Sequence, residues 1–197
     1  MRRGRANSLR RRVGMGNLPL MDWWTQRFDD RPRPTRGDVR PSVSEITDYL
    51  LVGEYPRVSD IEWLKREHRV TAIHNLQDDE DLRINALDIG ELAAAADSHG
   101  IAYARTPIHD GSSDDVALRL AAALADLHIL VAGERRVYLH CNAGLNRAPT
   151  LAIAYLRAHR GMSLAEAMAL VKARRACGPF MTVLENHFGP RHLKPSA

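Results

Sequence analysis

"RRVYLHCNAGLNRAPTLAIAYLRAHRG" (residues 135–161) holds, in one continuous stretch, the three pieces that decide the fold. Val137-Tyr138-Leu139 is a short apolar, β-prone run, the pattern of a strand buried inside a sheet. Residues 147–160 are rich in Ala, Leu and Ile and run up to Gly161, which predicts a helix ended by that glycine. Between them lie the seven residues from Cys141 to Arg147, with Gly144 at the middle. Backbone N–H groups in the first turn of a helix have no partner within it, and the helix dipole favours negative charge there. A loop of this length can curl its amides around one tetrahedral oxyanion, and Gly144 admits a turn that a side chain would obstruct. The guanidinium of Arg147 can grip two oxygens of such an anion, which lysine could not reproduce. The same positive setting favours Cys141 as a thiolate, a nucleophile at the floor of an anion cradle.

The flanking sequence supplies the rest of the layer. "YLLVG" (49–53) and "VTAIHNL" (70–76) read as strands, as do "IAYARTPI" (101–108) and "RRVYLH" (135–140). Ser59 and Glu62, three apart, predict a capping box and a helix from about Asp60 to His68. "DDED" (78–81) reads as a solvated loop rather than a metal site. Residues 88–99 predict a helix closed by Gly100. Leu118, Leu120, Leu124, Leu127 and Leu130 carry a helical spacing from Asp114 or Asp115 to Ala132. Ser163 and Glu166 predict a second capping box, with a helix to about Ala173, and a last helix follows Pro179. Strands alternating with helices imply an α/β fold: a central, largely parallel sheet flanked by helices.

Composition bounds what such a fold can be. The 197 residues suit one domain, expected at 42–190, with a short tail at 191–197. Two cysteines, Cys141 and Cys177, argue for a reducing compartment and against a disulfide framework, so the cytoplasm is expected. Every apolar run is broken by charge well short of the roughly 20 residues that span a bilayer, and no secretory leader is expected, so no membrane partner is either. Residues 1–40 hold eleven Arg and four Asp, a net of +7, which leaves −3 for the remainder. This basic segment reads as a disordered leader with Met15 and Met21 as alternative starts, and no nucleic-acid motif accompanies its charge. "MDWWTQRFDD" (21–30) could dock as a short helix, and "RPRPTRGDVRP" (31–41) reads as an irregular linker.

"HCNAGLNR" (140–147) matches the Cys-x5-Arg signature of the protein tyrosine phosphatase superfamily, and "HCNAGLNRAPT" resembles its dual-specificity branch. The similarity runs from about Ile46 to Phe188. Within that branch, "NLQDDEDL" (75–82), "AGLNRAPTLAIAYL" (143–156) and "RRACGP" (174–179) are similar to plant starch (glucan) phosphatases. The resemblance implies the phosphatase-type fold and a two-step hydrolysis of phosphomonoesters through a cysteinyl-phosphate. It implies a phosphate loop of Asn142, Ala143, Gly144, Leu145, Asn146 and Arg147, and no metal or other cofactor. It also implies an aspartic acid on a loop about thirty residues before the nucleophile. Asp110 is the match, with Asp114 and Asp115 as alternatives that a plain reading places in the first turn of the following helix.

The chain departs from those patterns in places. Ala148 stands where many dual-specificity enzymes carry a hydroxyl, and Asn146 where the glucan enzymes carry glycine. Gly111 follows Asp110 where those enzymes have an aromatic, and "DLRINALD" (81–88) lacks their aromatic pair. Phosphorylated protein is therefore the expected substrate, with phosphoglucan the alternative and a phosphate-binding pseudophosphatase a third reading. Five residues between Cys141 and Arg147 favour a phosphatase over a rhodanese-type sulfurtransferase. His140 is expected in a structural role beside the nucleophile, and Cys177 as a buried thiol or an oxidation partner of Cys141. His74, His99 and His128 form no ligand spacing.

Overall fold

Apolar side chains on both faces of three consecutive central strands require helices on both faces of the sheet they form. A computed structural model describes residues 39–194 and contains that arrangement. The basic leader, the helix considered at 21–30 and most of the linker lie outside the described residues, as do residues 195–197. Five strands, β1 (Val43–Glu45), β2 (Leu50–Gly53), β3 (Ala72–Asn75), β4 (Ala102–Arg105) and β5 (Val137–His140), form one sheet in the order β1-β2-β5-β3-β4. All pairings are parallel except β1 with β2. The α/β class with a largely parallel central sheet is thus the fold of the chain.

Seven α-helices complete the described residues: α1 (Ile61–His68), α2 (Asp79–Ile84), α3 (Ile89–Ser98), α4 (Ser113–Ala132), α5 (Arg147–His159), α6 (Leu164–Arg174) and α7 (Met181–Phe188). Alternation along the strands divides the core. Leu50, Val52, Ala72, Val137 and Leu139 face a cluster with Leu120, Leu127, Leu151 and Tyr155 of α4 and α5. Leu51, Ile73 and Tyr138 point the other way, onto Ile61 and Leu64 of α1 and Leu92 of α3. Each such aliphatic side chain contributes about 1.5–3 kcal/mol on burial. Helix α5 is buried from Arg147 through Arg157, which explains its small residues Ala148, Ala152 and Ala154. The loop before it is therefore held between a buried strand and a buried helix.

Gly53, His140 and Asn75 stand side by side at the carboxyl ends of β2, β5 and β3. The chain leaves β2 for β3 on the far side of β5, so that edge is the crevice where α/β sheets place their ligands.

Local details differ from expectation where side chains found better partners. Ser59 and Glu62 do not cap α1. The Asp60 carboxylate instead accepts from Arg57 N at 2.9 Å and pairs with Arg40 at 2.8 Å, and a 3-10 turn at Val58–Asp60 precedes the helix. "DDED" is not a solvated loop. Asp78 caps α2, accepting from Asp81 N at 2.8 Å, and Asp81 is only 4% exposed. Strand β1 has no three-residue pattern to announce it. By contrast, the Ser163–Glu166 capping box forms as the spacing predicts.

Candidate functional site

The backbone of residues 141–146 faces one way because each carbonyl is taken on the other side. Asn142 O accepts from Tyr55 N at 3.0 Å, Leu145 O from Gly178 N at 2.8 Å and Asn146 O from Thr150 N at 3.0 Å. Cys141 O accepts from the His140 ring at 3.1 Å. Arg175 takes two in succession: Ala143 O from Nη2 at 2.9 Å and Gly144 O from Nε at 2.6 Å. In a trans peptide the N–H opposes the C=O, so these bonds direct the amides of the loop toward its hollow. Gly144 makes the turn at φ +66°, packed so closely that a Cβ would sit 2.4 Å from Gly53 O. The Asn142 side chain is fixed by Asn85 at 2.8 Å and Gln77 at 3.2 Å. Asn146 is tied to Gly178 O at 2.7 Å.

Arg147 is held by one of its terminal nitrogens. Nη1 donates to Asp81 at 2.6 Å and to Ile108 O at 2.7 Å, and reaches Leu76 O at 3.4 Å. Nε and Nη2 are buried and make no hydrogen bond to a described residue. Nη2 lies 3.0 Å from an Asp110 oxygen as an ion pair, without the alignment of a hydrogen bond. Nε and Nη2 are the edge of a guanidinium that grips two oxygens of an anion. Burial works against the charge of Arg147, but Cys141, Asp110 and Asp81 outweigh it and hold the guanidinium more firmly protonated than usual. Burial pushes the Asp81 carboxyl up, only partly offset by Arg147. Cys141 is 2% exposed at the start of the loop.

The segment Ile108–Ser112 closes the hollow. Ile108 N bonds Leu76 O at 3.2 Å, and His109 N donates to Asp115 at 2.7 Å. Asp110 is thereby brought to Arg147, its side chain 21% exposed. Asp115 does a different job, receiving the His109 amide while Ser112 caps α4 by accepting from Asp115 N. Asp114 is exposed in the first turn of α4. Cys141, Arg147 and Asp110 are thus brought together, and Asp114 is left outside. Sequence reading missed Asp81 and Arg175, which hold Arg147 and the loop. The signal for Asp81 was its spacing from Asp78, a capping box written with two aspartates. Arg175 lay in a stretch singled out only by resemblance.

Other singled-out side chains have local partners. His74 bonds Thr106 at 2.9 Å, and burial pulls its pKa down to about 4. Cys177 is half-buried, and burial pushes its thiol up. His128 stacks on His159, not on a metal-binding set; among the described residues no cluster of three His, Cys, Asp or Glu could hold a metal ion.

This geometry has named relatives. The family model of the dual specificity phosphatase catalytic domain matches residues 50–185. The chain belongs to the dual specificity phosphatase family. It is 32% identical over 154 residues to a chestnut (Castanea sativa) phosphoglucan phosphatase, DSP4, covering 77% of this chain and 41% of that one. It is 30% identical over 145 residues to human dual specificity protein phosphatase 21, covering 72% and 68%. Mouse laforin is 26% identical over 143 residues, covering 67% and 43%. The chain thus spans about two fifths of the chestnut and mouse proteins. Among solved structures, Tk-PTP in its active form superposes with a TM-score of 0.63 at 24% identity, covering 75% of this chain and 97% of that one. Human DUSP28 gives 0.57 at 22%, covering 77% and 96%. These two establish the shared fold of the phosphatases, the phosphatase-type fold that the resemblance implied.

A cleft of about 800 Å³ lies between the start of α4 and the segment Pro179–His187, and no residue of the 141–147 loop lines it. Ser113, Asp114, Phe180, Met181 and His187 are among its lining residues. No helix of the described residues is long and apolar enough to cross a membrane.

Proposed function

We propose that residues 42–190 form a catalytic domain that hydrolyses phosphomonoesters, with phosphorylated protein as its substrate. The Nε–Nη2 edge of Arg147, buried with no hydrogen-bond partner at the rim of a loop whose carbonyls all turn away, carries the reading. An anion with tetrahedral oxygens satisfies both sets of donors at once. A PO3 group centred there lies over the Cys141 sulfur, which attacks phosphorus as the ester oxygen departs. As the anion takes Nη2, Asp110 leaves its ion pair with Arg147 and, in its protonated form, gives its proton to that leaving oxygen. The carboxylate then takes a proton from water, whose oxygen attacks phosphorus and releases phosphate and the thiolate. Asn142 to Asn146 supply amides to the three non-bridging oxygens throughout. No step calls for a metal. Ala148 offers no hydroxyl to the departing sulfur, and the Thr150 hydroxyl is committed to Asn146 O at 2.7 Å, so breakdown of the intermediate is the slower step.

A protein substrate is supported by the surface around the cradle. Among the described residues no Phe, Tyr or Trp is fully exposed, and half-buried Phe180 is the one of them lining the cleft, so a sugar chain has little aromatic surface to stack on. The phosphoglucan reading is kept by the 32% identity to the chestnut protein, whose name states that activity. Action in the cytoplasm fits two unpaired thiols. A panel of phosphotyrosine and phosphoserine peptides, phosphorylated amylopectin and a phosphoinositide separates the readings. Faster phosphate release from the peptides is expected; release from amylopectin well above them transfers the assignment to glucan. Phosphate bound without turnover of any ester makes the chain a pseudophosphatase.

A further inference from the structure

Resting on the chemistry proposed above, we propose that Asp78 and His109 form a latch that sets the position of Asp110 over the phosphate cradle. His109 Nδ1 meets Asp78 Oδ2 at 2.8 Å, and His109 is the residue immediately before Asp110. The other oxygen of Asp78 is fixed by Asp81 N at 2.8 Å, as the cap of α2. Asp81 in turn holds Arg147 at 2.6 Å. The capping turn of α2 therefore reaches both sides of the site: one carboxylate anchors the anion-gripping cation, and the other anchors the segment carrying the proposed acid. The pair is asymmetric in exposure, with side chains 66% exposed for His109 and 16% for Asp78. A firmly seated acceptor thus holds an exposed partner, the arrangement expected of an anchor and a latch.

The electrostatics agree with this seating. Burial alone would raise the Asp78 carboxyl, yet the Asp81 amide, His109 and Arg147 together hold it below the ordinary aspartate value. A carboxylate kept ionised is a strong acceptor for the imidazole N–H. The segment is held as well at Ile108 N and O, by His109 N donating to Asp115, and by the ion pair of Asp110 with Arg147 at 3.0 Å. The Asp78–His109 pair joins the side chain adjoining Asp110 to the wall across the cradle. Asp78 and His109 are positioning residues; neither touches the reacting atoms.

The latch predicts a dependence on the leaving group. Proton donation matters for a phenolate or alkoxide and hardly at all for an oxygen that leaves as a stable anion. Asp78→Ser keeps a good N-cap for α2 but is too short to reach His109, and His109→Ala breaks the pair without touching α2. Each variant and the double variant are assayed on phenyl phosphate and on a dinitrophenyl phosphate, with thermal melting as a check on folding. The value of kcat/KM, which reports transfer of the PO3 group to Cys141 and not the slower hydrolysis that follows, should fall about tenfold on phenyl phosphate in either single variant and less than twofold on the dinitrophenyl ester, and the double variant should be no worse than the singles. Equal losses on both esters, no loss on either, or effects that multiply in the double variant overturn the latch while leaving the proposed hydrolysis standing. A wild-type protein inert to both esters overturns the proposed hydrolysis and the latch with it.

Discussion

Replacing Gly144 with alanine should disable the cradle far more than it unfolds the protein, and Gly100 supplies the matched control. Both glycines have a positive φ, +66° and +65°. An L-residue held there costs about 1–2 kcal/mol, so the backbone penalty is the same at both sites. The surroundings differ. Around Gly100 nothing lies within 4 Å of an added Cβ, whereas at Gly144 the new atom would stand 2.4 Å from Gly53 O and 2.6 Å from Arg175 Nη2. The Gly53 carbonyl belongs to a buried strand, so the loop must retreat by about 1 Å, a displacement that can cost about 100-fold in rate. Gly144→Ala should therefore lower kcat/KM on an aryl phosphate by about two orders of magnitude. Its stability loss should exceed that of Gly100→Ala by about 1–3 kcal/mol of overpacking, read from urea denaturation. Gly100→Ala should keep full activity. The reasoning is refuted if Gly144→Ala keeps more than a third of the activity, or if the two variants lose activity alike.

Other expectations follow from the same contacts. Asp81→Ala leaves Nη1 of the fully buried Arg147 without its carboxylate and should cost about 3 kcal/mol in denaturant titration. Asp81→Asn should recover much of that, since burial already disfavours the Asp81 carboxylate. Arg175→Ala should raise the phosphate inhibition constant and cost about 3 kcal/mol, and Arg175→Lys should restore neither, because a single nitrogen lacks the fork that reaches Gly144 O from Nε, Ala143 O from Nη2 and Ser44 from Nη1. Stability should also fall on acidification through His74. Its folded pKa is depressed from 6.5 to about 4, so the unfolded chain takes up the proton first. The contribution is complete above pH 6.5 and drains away toward pH 4, at no more than about 1.4 kcal/mol per pH unit. His74→Gln should flatten that limb in a pH series of melting curves; an unchanged slope would assign the acid sensitivity elsewhere.

The strand–loop–helix unit was legible because three independent signals coincide in 27 residues: an apolar run, a Cys-Gly-Arg spacing and a Gly-terminated helix. Residues that act through a neighbour in the sequence, such as Ser163 and Glu166, were equally plain. What escaped was what depends on distant partners. Asp81 looks like any surface carboxylate until β3 and the end of β5 bring it to Arg147, 66 residues away. Arg175 meets the carbonyl of Gly144 across 31 residues and Ser42 across 133. Strand β1 exists because β2 offers it an edge, with Ser44 opposite Val52, and its own three residues carry no pattern. Asp110 was favoured over Asp114 and Asp115 by its spacing from Cys141 and by the Gly-Ser-Ser after it, while all three precede or open the same helix. The His109 amide and Arg147 distinguish them.

The most direct test of the account is a rapid-quench experiment with a labelled aryl phosphate, followed by peptide mapping under conditions that preserve phosphorus–sulfur bonds. A PO3 group transiently attached to the peptide containing Cys141, absent from Cys141→Ser and accumulating because its hydrolysis is slow, is the predicted result. Steady turnover with no phosphorylated Cys141, or undiminished turnover by Cys141→Ser, would contradict it.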